Sequence, residues 1–183
     1  AIVQYVASLD AVLARARMAQ KNGYCCPDLI DADASESNAS FVDATNLRHC
    51  IIEKILTEEI YVANDVSLSS RGILLYGVNA VGKTSLIRSL GIAVIMAQAG
   101  FFVAASQFRF KPYTKLFTRI IGNDSLAKGL STFVVEMLEL NPILQYADQN
   151  SIVLGDELCS GTETPSAISL NSASLMRLCG RNV

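Results

Sequence analysis

Ile2, Val6, Leu9, Leu13 and Ala16 recur at three- and four-residue steps, which predicts an amphipathic helix over residues 2–20. One apolar stripe has to be buried, so the helix is expected to pack on the chain that follows. From Gly23 to Asn38 the pattern dissolves into proline, acids and serines, and Asp28 to Glu36 reads as an exposed loop. Short apolar runs then alternate with polar breaks: Phe41-Val42, Cys50 to Ile52, Ile60 to Val62, Val66 to Leu68 and Ile73 to Tyr76. These predict short strands, with turns at Asn64-Asp65 and Ser70 to Gly72, and the last run is expected to be a central strand.

The period changes again after residue 83. Leu86, Leu90, Ala93, Val94 and Ala97 predict a helix from Thr84 to about Gln98, with Gly91 inside it. Such a glycine costs about 1 kcal/mol against alanine, which close packing would explain. Phe101 to Ala105 and Lys115 to Ile121 read as strands, and residues 122–129 as a polar loop. Ser131-Thr132 precede Phe133, Met137 and Leu140 as a natural helix N-cap. Pro142 inside that pattern predicts a kink or restart. Ser151 to Gly155 is a short apolar strand, residues 160–162 a turn, and residues 166–178 a final helix.

Composition narrows the class. In 183 residues, 51% are hydrophobic and 17% charged, enough for a packed core and unlike a disordered tail. A net charge of −2 and a pI near 5.4 do not provide the basic surface with which a domain grips DNA unaided. The most apolar stretch, Gly91 to Ala105, is too short for a membrane span, and the start lacks the pattern of a secretory leader. Five cysteines at positions 25, 26, 50, 159 and 179 have no metal-binding spacing. They are expected to be reduced and mostly buried, as in an intracellular protein.

The chemistry concentrates in Gly77-Val78-Asn79-Ala80-Val81-Gly82-Lys83-Thr84-Ser85, which fits GxxxxGK[ST] between the expected central strand and the helix. Glycines let such a turn curl its N–H groups around an anion, and the helix points its positive end at the same place. Lys83 would reach the β- and γ-phosphates, and the Thr84 hydroxyl would hold Mg²⁺. The run Ser151 to Gly155 ends in Asp156-Glu157, the kind of acidic strand end that completes such a site. Asp156 would share the metal, which prefers hard oxygen ligands. Glu157 would orient the water attacking the γ-phosphate.

Around this frame the chain resembles the MutS family of DNA mismatch-repair ATPases. The blocks that carry the resemblance are Gly77 to Ser85, Ala97-Gln98-Ala99-Gly100-Phe101-Phe102-Val103-Ala104-Ala105, Phe117 to Ile120, Leu130 to Met137, and Asp156-Glu157 with Gly161 to Thr164. Leu47-Arg48-His49 and Tyr61 to Asp65 add to them, so the likeness runs from about residue 41 to 175. The stretch Asp156 to Glu163 is most similar to the organellar and giant-virus branch. The resemblance implies an α/β fold: a P-loop NTPase of the ABC type, with a central, mostly parallel sheet flanked by helices and an antiparallel β subdomain. Residues 1–22 would be the end of a lever helix, and 23–183 the ATPase domain without its His-containing switch segment.

The same resemblance implies ATP and Mg²⁺ at the site, a homodimer or related subunit sandwiching the nucleotide, and DNA contacted by other domains. Ser131 would reach the γ-phosphate across the dimer, or serve as a plain N-cap, or both. Asn79 would sit near the phosphates and the water. Tyr61 would stack on adenine, or be an ordinary half-buried aromatic. His49, the one histidine, is expected to be structural. Val78, Thr84, Ala104 and Ser160 depart from the family pattern; Thr84 in place of serine is chemically mild, and Val78 in place of proline removes no ligand. ATP-driven conformational switching is the leading functional expectation. A nucleotide-binding dimerisation module without turnover is one alternative. Another is a different ABC-type ATPase, although Leu130-Ser131-Thr132-Phe133 is not the signature of that group.

Overall fold

The structure, a computed structural model, describes residues 2–30, 39–56, 60–120, 132–158 and 163–183. Helix α1 (Ile2–Asn22) leads to a two-residue strand β1 (Asp28–Leu29) and then to β2 (Phe41–Leu47). A one-turn helix α2 (Ile52–Ile55), β3 (Asn64–Leu68) and the long α3 (Lys83–Gln98) follow. The second half runs β4 (Gln107–Lys111), β5 (Lys115–Arg119), α4 (Thr132–Tyr146), β6 (Ser151–Gly155) and α5 (Thr164–Cys179).

The strands form two sheets. One has four strands in the order β1-β4-β2-β3, antiparallel except where β1 joins β4. The other is the parallel pair β5-β6, with Arg119 opposite Gly155. This corrects the expected architecture. The chain does not form a P-loop ABC-type fold around a central, mostly parallel sheet; its described sheets are a mixed four-stranded one and a separate two-stranded one. The decisive segment is Ile73 to Tyr76, which forms no strand. A turn closed by the Gly72 N–H on the Ser69 carbonyl carries the chain away from β3, and the run lies exposed, with Tyr76 at 90%. Apolar composition favours a strand only where a neighbour supplies ladder partners.

Smaller expectations shift in the same way. Cys50 to Ile52 leads into α2 and residues 60–63 are irregular, while Asn64-Asp65 begin β3 instead of turning. Phe101 to Ala105 is buried at Val103, Ala104 and Ala105, but its β pairing is limited to an isolated bridge between Val103 and Cys25. The strand starts later, at Gln107, where Phe108 and Phe110 alternate inward with ring centroids 5.8 Å apart. Pro142 lies within α4 without ending it. The stripe on α1 stays exposed, and the one buried residue of the helix is Ala19, outside that stripe. Cys26 and Cys179 are exposed and Cys25 and Cys50 half-buried, so the described thiols are not mostly buried as expected.

A single core joins the two sheets. Val42, Ala44 and Phe108 of the larger sheet cluster with Ile152 and Leu154 of the smaller one, through Leu90, Ala93, Val94 and Ala97 of α3. Gly91 is buried, and a Cβ there would stand 2.7 Å from Leu154 Cδ1. The close packing expected at this glycine is therefore between α3 and β6. No helix among the described residues is long and apolar enough to cross a membrane.

Candidate nucleotide site

The start of α3 and the end of β6 meet at the phosphate-loop motif. Gly82 precedes α3 with φ 96° and ψ 12°, a conformation that favours glycine and turns the loop into the helix. Lys83 folds back so that Nζ donates to the carbonyls of Gly77 and Val78, each at 2.7 Å. The ammonium thus sits inside the curl of the loop, beside the positive end of a sixteen-residue helix. Such a concavity attracts anions on electrostatic grounds.

Across it, Thr84 Oγ1 donates to Asp156 Oδ2 at 2.6 Å. Asp156 is buried at 8% exposure, and its own N–H is held by the Arg119 carbonyl at 2.8 Å. Glu157 follows with φ 47°, a left-handed conformation uncommon for a non-glycine residue. Ala80, in the loop, has φ 65°. Backbone outliers of this kind cluster at binding and catalytic sites, where surrounding structure holds them. A cavity of about 270 Å³ is lined by Asn79, Ala80, Gly82, Lys83, Thr84, Ser85 and Glu157. Its lining offers a cation, N–H groups of a helix start, the Thr84 and Ser85 hydroxyls and the Glu157 carboxylate. A hydroxyl and a carboxylate side by side are hard oxygen donors, a set that suits Mg²⁺.

The other expected site residues fall as follows. Gly77, Val78 and Val81 lie in the exposed loop. Tyr61 is half-buried in an irregular segment, and its hydroxyl meets Ser89 Oγ at 3.3 Å, while Ser89 donates to the Ser85 carbonyl. That arrangement anchors Tyr61 to α3 one turn beyond the loop. Ser131 and the turn at residues 160–162 lie outside the described residues. His49 is buried and its Nδ1 accepts the N–H groups of Ile51 and Ile52, both at 3.3 Å. It caps α2, a structural task.

Sequence reading assigned no role to Arg119 or Glu136, although both lay within the quoted blocks. Arg119 Nη2 lies 3.5 Å from Glu136 Oε1, and its Nε lies 2.7 Å from Glu139 Oε2. The signal was available: charges in the otherwise apolar runs Leu116 to Ile120 and Phe133 to Met137 have to be paired once those runs pack.

The model of MutS domain V matches residues 73–182. The chain is 43% identical over 97% of its length to a mitochondrial DNA mismatch repair protein, a mutS homolog of Sarcophyton glaucum. The chain belongs to the MutS family. It is also 33% identical, over 97% of its length, to a putative DNA mismatch repair protein, a mutS homolog of Acanthamoeba polyphaga mimivirus. Against the DNA mismatch repair protein MutS of Prochlorococcus marinus it is 40% identical over 90% of its length. The likeness to the organellar and giant-virus branch fits the first two relatives. This MutS chain spans 18% or 19% of the length of these relatives.

Proposed function

We propose that this chain supplies the ATP-binding and ATP-hydrolysing site of a DNA mismatch-repair protein, in which nucleotide turnover switches the conformation of the whole. The observation that carries the reading is one cavity lined by Lys83, Thr84 and Glu157, with Thr84 Oγ1 donating to Asp156 Oδ2 at 2.6 Å. A triphosphate would draw the Lys83 ammonium off the Gly77 and Val78 carbonyls and take the N–H groups of residues 79–84. Asn79 would lie beside the phosphates, and Tyr61 at the side of the site facing α3. Thr84 and Asp156 would hold Mg²⁺, and charge neutralisation on the phosphate oxygens is what that ion supplies when bound.

Glu157, in the lining of the same cavity, is the base in this reading. It orients a water for in-line attack and receives its proton as the bond to the leaving phosphate oxygen breaks. A homodimeric or related partner subunit would close over the nucleotide, with DNA contacted by parts of the protein outside this chain. The mild acidity of the chain agrees with that division.

Single-turnover hydrolysis by the full-length protein tests the mechanism. Glu157→Gln keeps the shape of the side chain and removes its basicity, so the chemical step should slow by about 10²- to 10⁴-fold while nucleotide binding persists. An unchanged single-turnover rate would remove Glu157 from the role and sink the mechanism.

A further inference from the structure

We infer that Arg119 is a positioning residue that ties the Asp156–Glu157 corner to helix α4. The inference rests on the nucleotide-site reading above and adds to it a route by which the carboxylates are held. Arg119 closes β5, and its two ends do different things. Its backbone carbonyl accepts the Asp156 N–H at 2.8 Å, just after the parallel pairing of Arg119 with Gly155. Its guanidinium is gripped by α4, through Glu139 Oε2 at 2.7 Å and Glu136 Oε1 at 3.5 Å. One residue therefore touches the backbone of the acidic corner and the body of the helix.

The charges make this more than packing. The side chains of Arg119 and Glu136 are 8% and 3% exposed, and removing two ions from water carries a desolvation penalty that their attraction has to offset. An apolar contact would join β5 to α4 with less penalty. What the ion pair adds is direction. A planar guanidinium accepts partners only along its N–H vectors, so a shift of α4 along its axis changes which glutamate it can satisfy. The tighter contact is to Glu139, at the solvent edge with 43% exposure, and the longer one is to the buried Glu136. Movement of α4, which begins at Thr132, is thereby transmitted to the residue that fixes the Asp156 backbone.

The test uses the full-length protein carrying Arg119→Gln, Arg119→Lys or Glu139→Gln. Two quantities are read: the affinity of the ADP-loaded protein for Mn²⁺, by electron paramagnetic resonance, and kcat against KM for ATP. Partners that orient a metal ligand are worth about 10- to 100-fold in metal affinity, and Arg119→Gln should weaken Mn²⁺ binding and lower kcat by amounts in that range. ADP affinity without metal should hold, and Arg119→Lys should recover part of both losses. A folded Arg119→Gln protein with unchanged Mn²⁺ affinity and kcat overturns the inference. If that variant does not fold, Glu139→Gln at the solvent edge decides: weakened Mn²⁺ binding supports the inference, and unchanged binding overturns it. Lys83→Ala separates the layers. If it abolishes ADP binding while Arg119→Gln changes nothing, the positioning role alone fails; if the wild type binds no ADP, the nucleotide reading fails with it.

Discussion

His49 shows how a single side chain can make the stability of this chain depend on pH. Burial pushes its imidazole below the ordinary histidine range, the nearby Arg88 charge adds to that effect, and Glu53 opposes it. The neutral ring is also the form the fold needs, since Nδ1 must keep a lone pair for the Ile51 and Ile52 N–H groups. In the unfolded chain the ring takes up a proton near the ordinary histidine value of 6.5, whereas in the folded chain it does so at lower pH. The unfolded state therefore binds more protons between those two points. Stability should be full above about pH 6.5 and fall on acidification by at most about 1.4 kcal/mol per pH unit, flattening below the folded value. Urea midpoints between pH 8 and 5 would show the slope. His49→Asn, whose carboxamide oxygen can still cap α2, should remove it; a slope that survives the substitution would assign it to another group. The acid limb from surface carboxylates lies lower, as with Asp148, whose pKa is depressed first by the hydrogen bond from Lys115.

At the scale of elements, hydrophobic period identified what is helical more dependably than what is covered. Helix α1 follows its three- and four-residue pattern, yet Leu9 and Leu13 remain 48% and 44% exposed. Its end, by contrast, is well held: Arg48 donates to the Asn22 and Gly23 carbonyls, and Arg15 lies over the Phe101 ring at 4.3 Å. Leu9→Gln and Leu13→Gln should each change the unfolding free energy of the chain by less than about 0.5 kcal/mol, as exposed substitutions do. Phe108→Ala, at a fully buried position, should cost about 3–5 kcal/mol. A loss of that size from Leu9→Gln would mean that the α1 stripe is packed after all. The strands were less legible because their existence depends on partners far along the chain. Val66 to Leu68 found β2, whereas Ile73 to Tyr76, more apolar, found no ladder. Gln107 to Lys111 carries a clean alternation that reading Phe101 to Ala105 as the strand obscured. That Lys83, Thr84, Asp156 and Glu157 come together was easier to read, because they are specified by motif and strand end. Arg119 was not, since its partners lie on a helix distant in sequence.

For the whole molecule, the question is whether two separate sheets make one cooperative unit. Helix α3 packs against β2 of the larger sheet and β6 of the smaller, and its buried face belongs to the cluster that contains residues of both. If that face is the joint, damage on the β6 side should be felt in β2. Gly91 offers a local way to apply the damage, because a side chain there must displace Leu154. Gly91→Val should destabilise the chain by about 1–3 kcal/mol through overpacking, with Gly91→Ala milder because alanine's helix propensity offsets part of the strain. Native-state hydrogen exchange then distinguishes two outcomes. In one cooperative unit, the slow amides of Val42 and Ala44 in β2 and of Ile152 and Leu154 in β6 lose protection by the same free energy. Loss confined to Ile152 and Leu154 would instead mean that the small sheet, which carries Asp156 at its end, opens independently of the larger one. The first outcome is expected, because the buried apolar side chains of α3, Leu90, Ala93, Val94 and Ala97, form one stripe and belong to the one cluster that holds residues of both sheets. The Lys83 end of that helix and the Asp156 end of β6 would then be held at a fixed separation by the core itself.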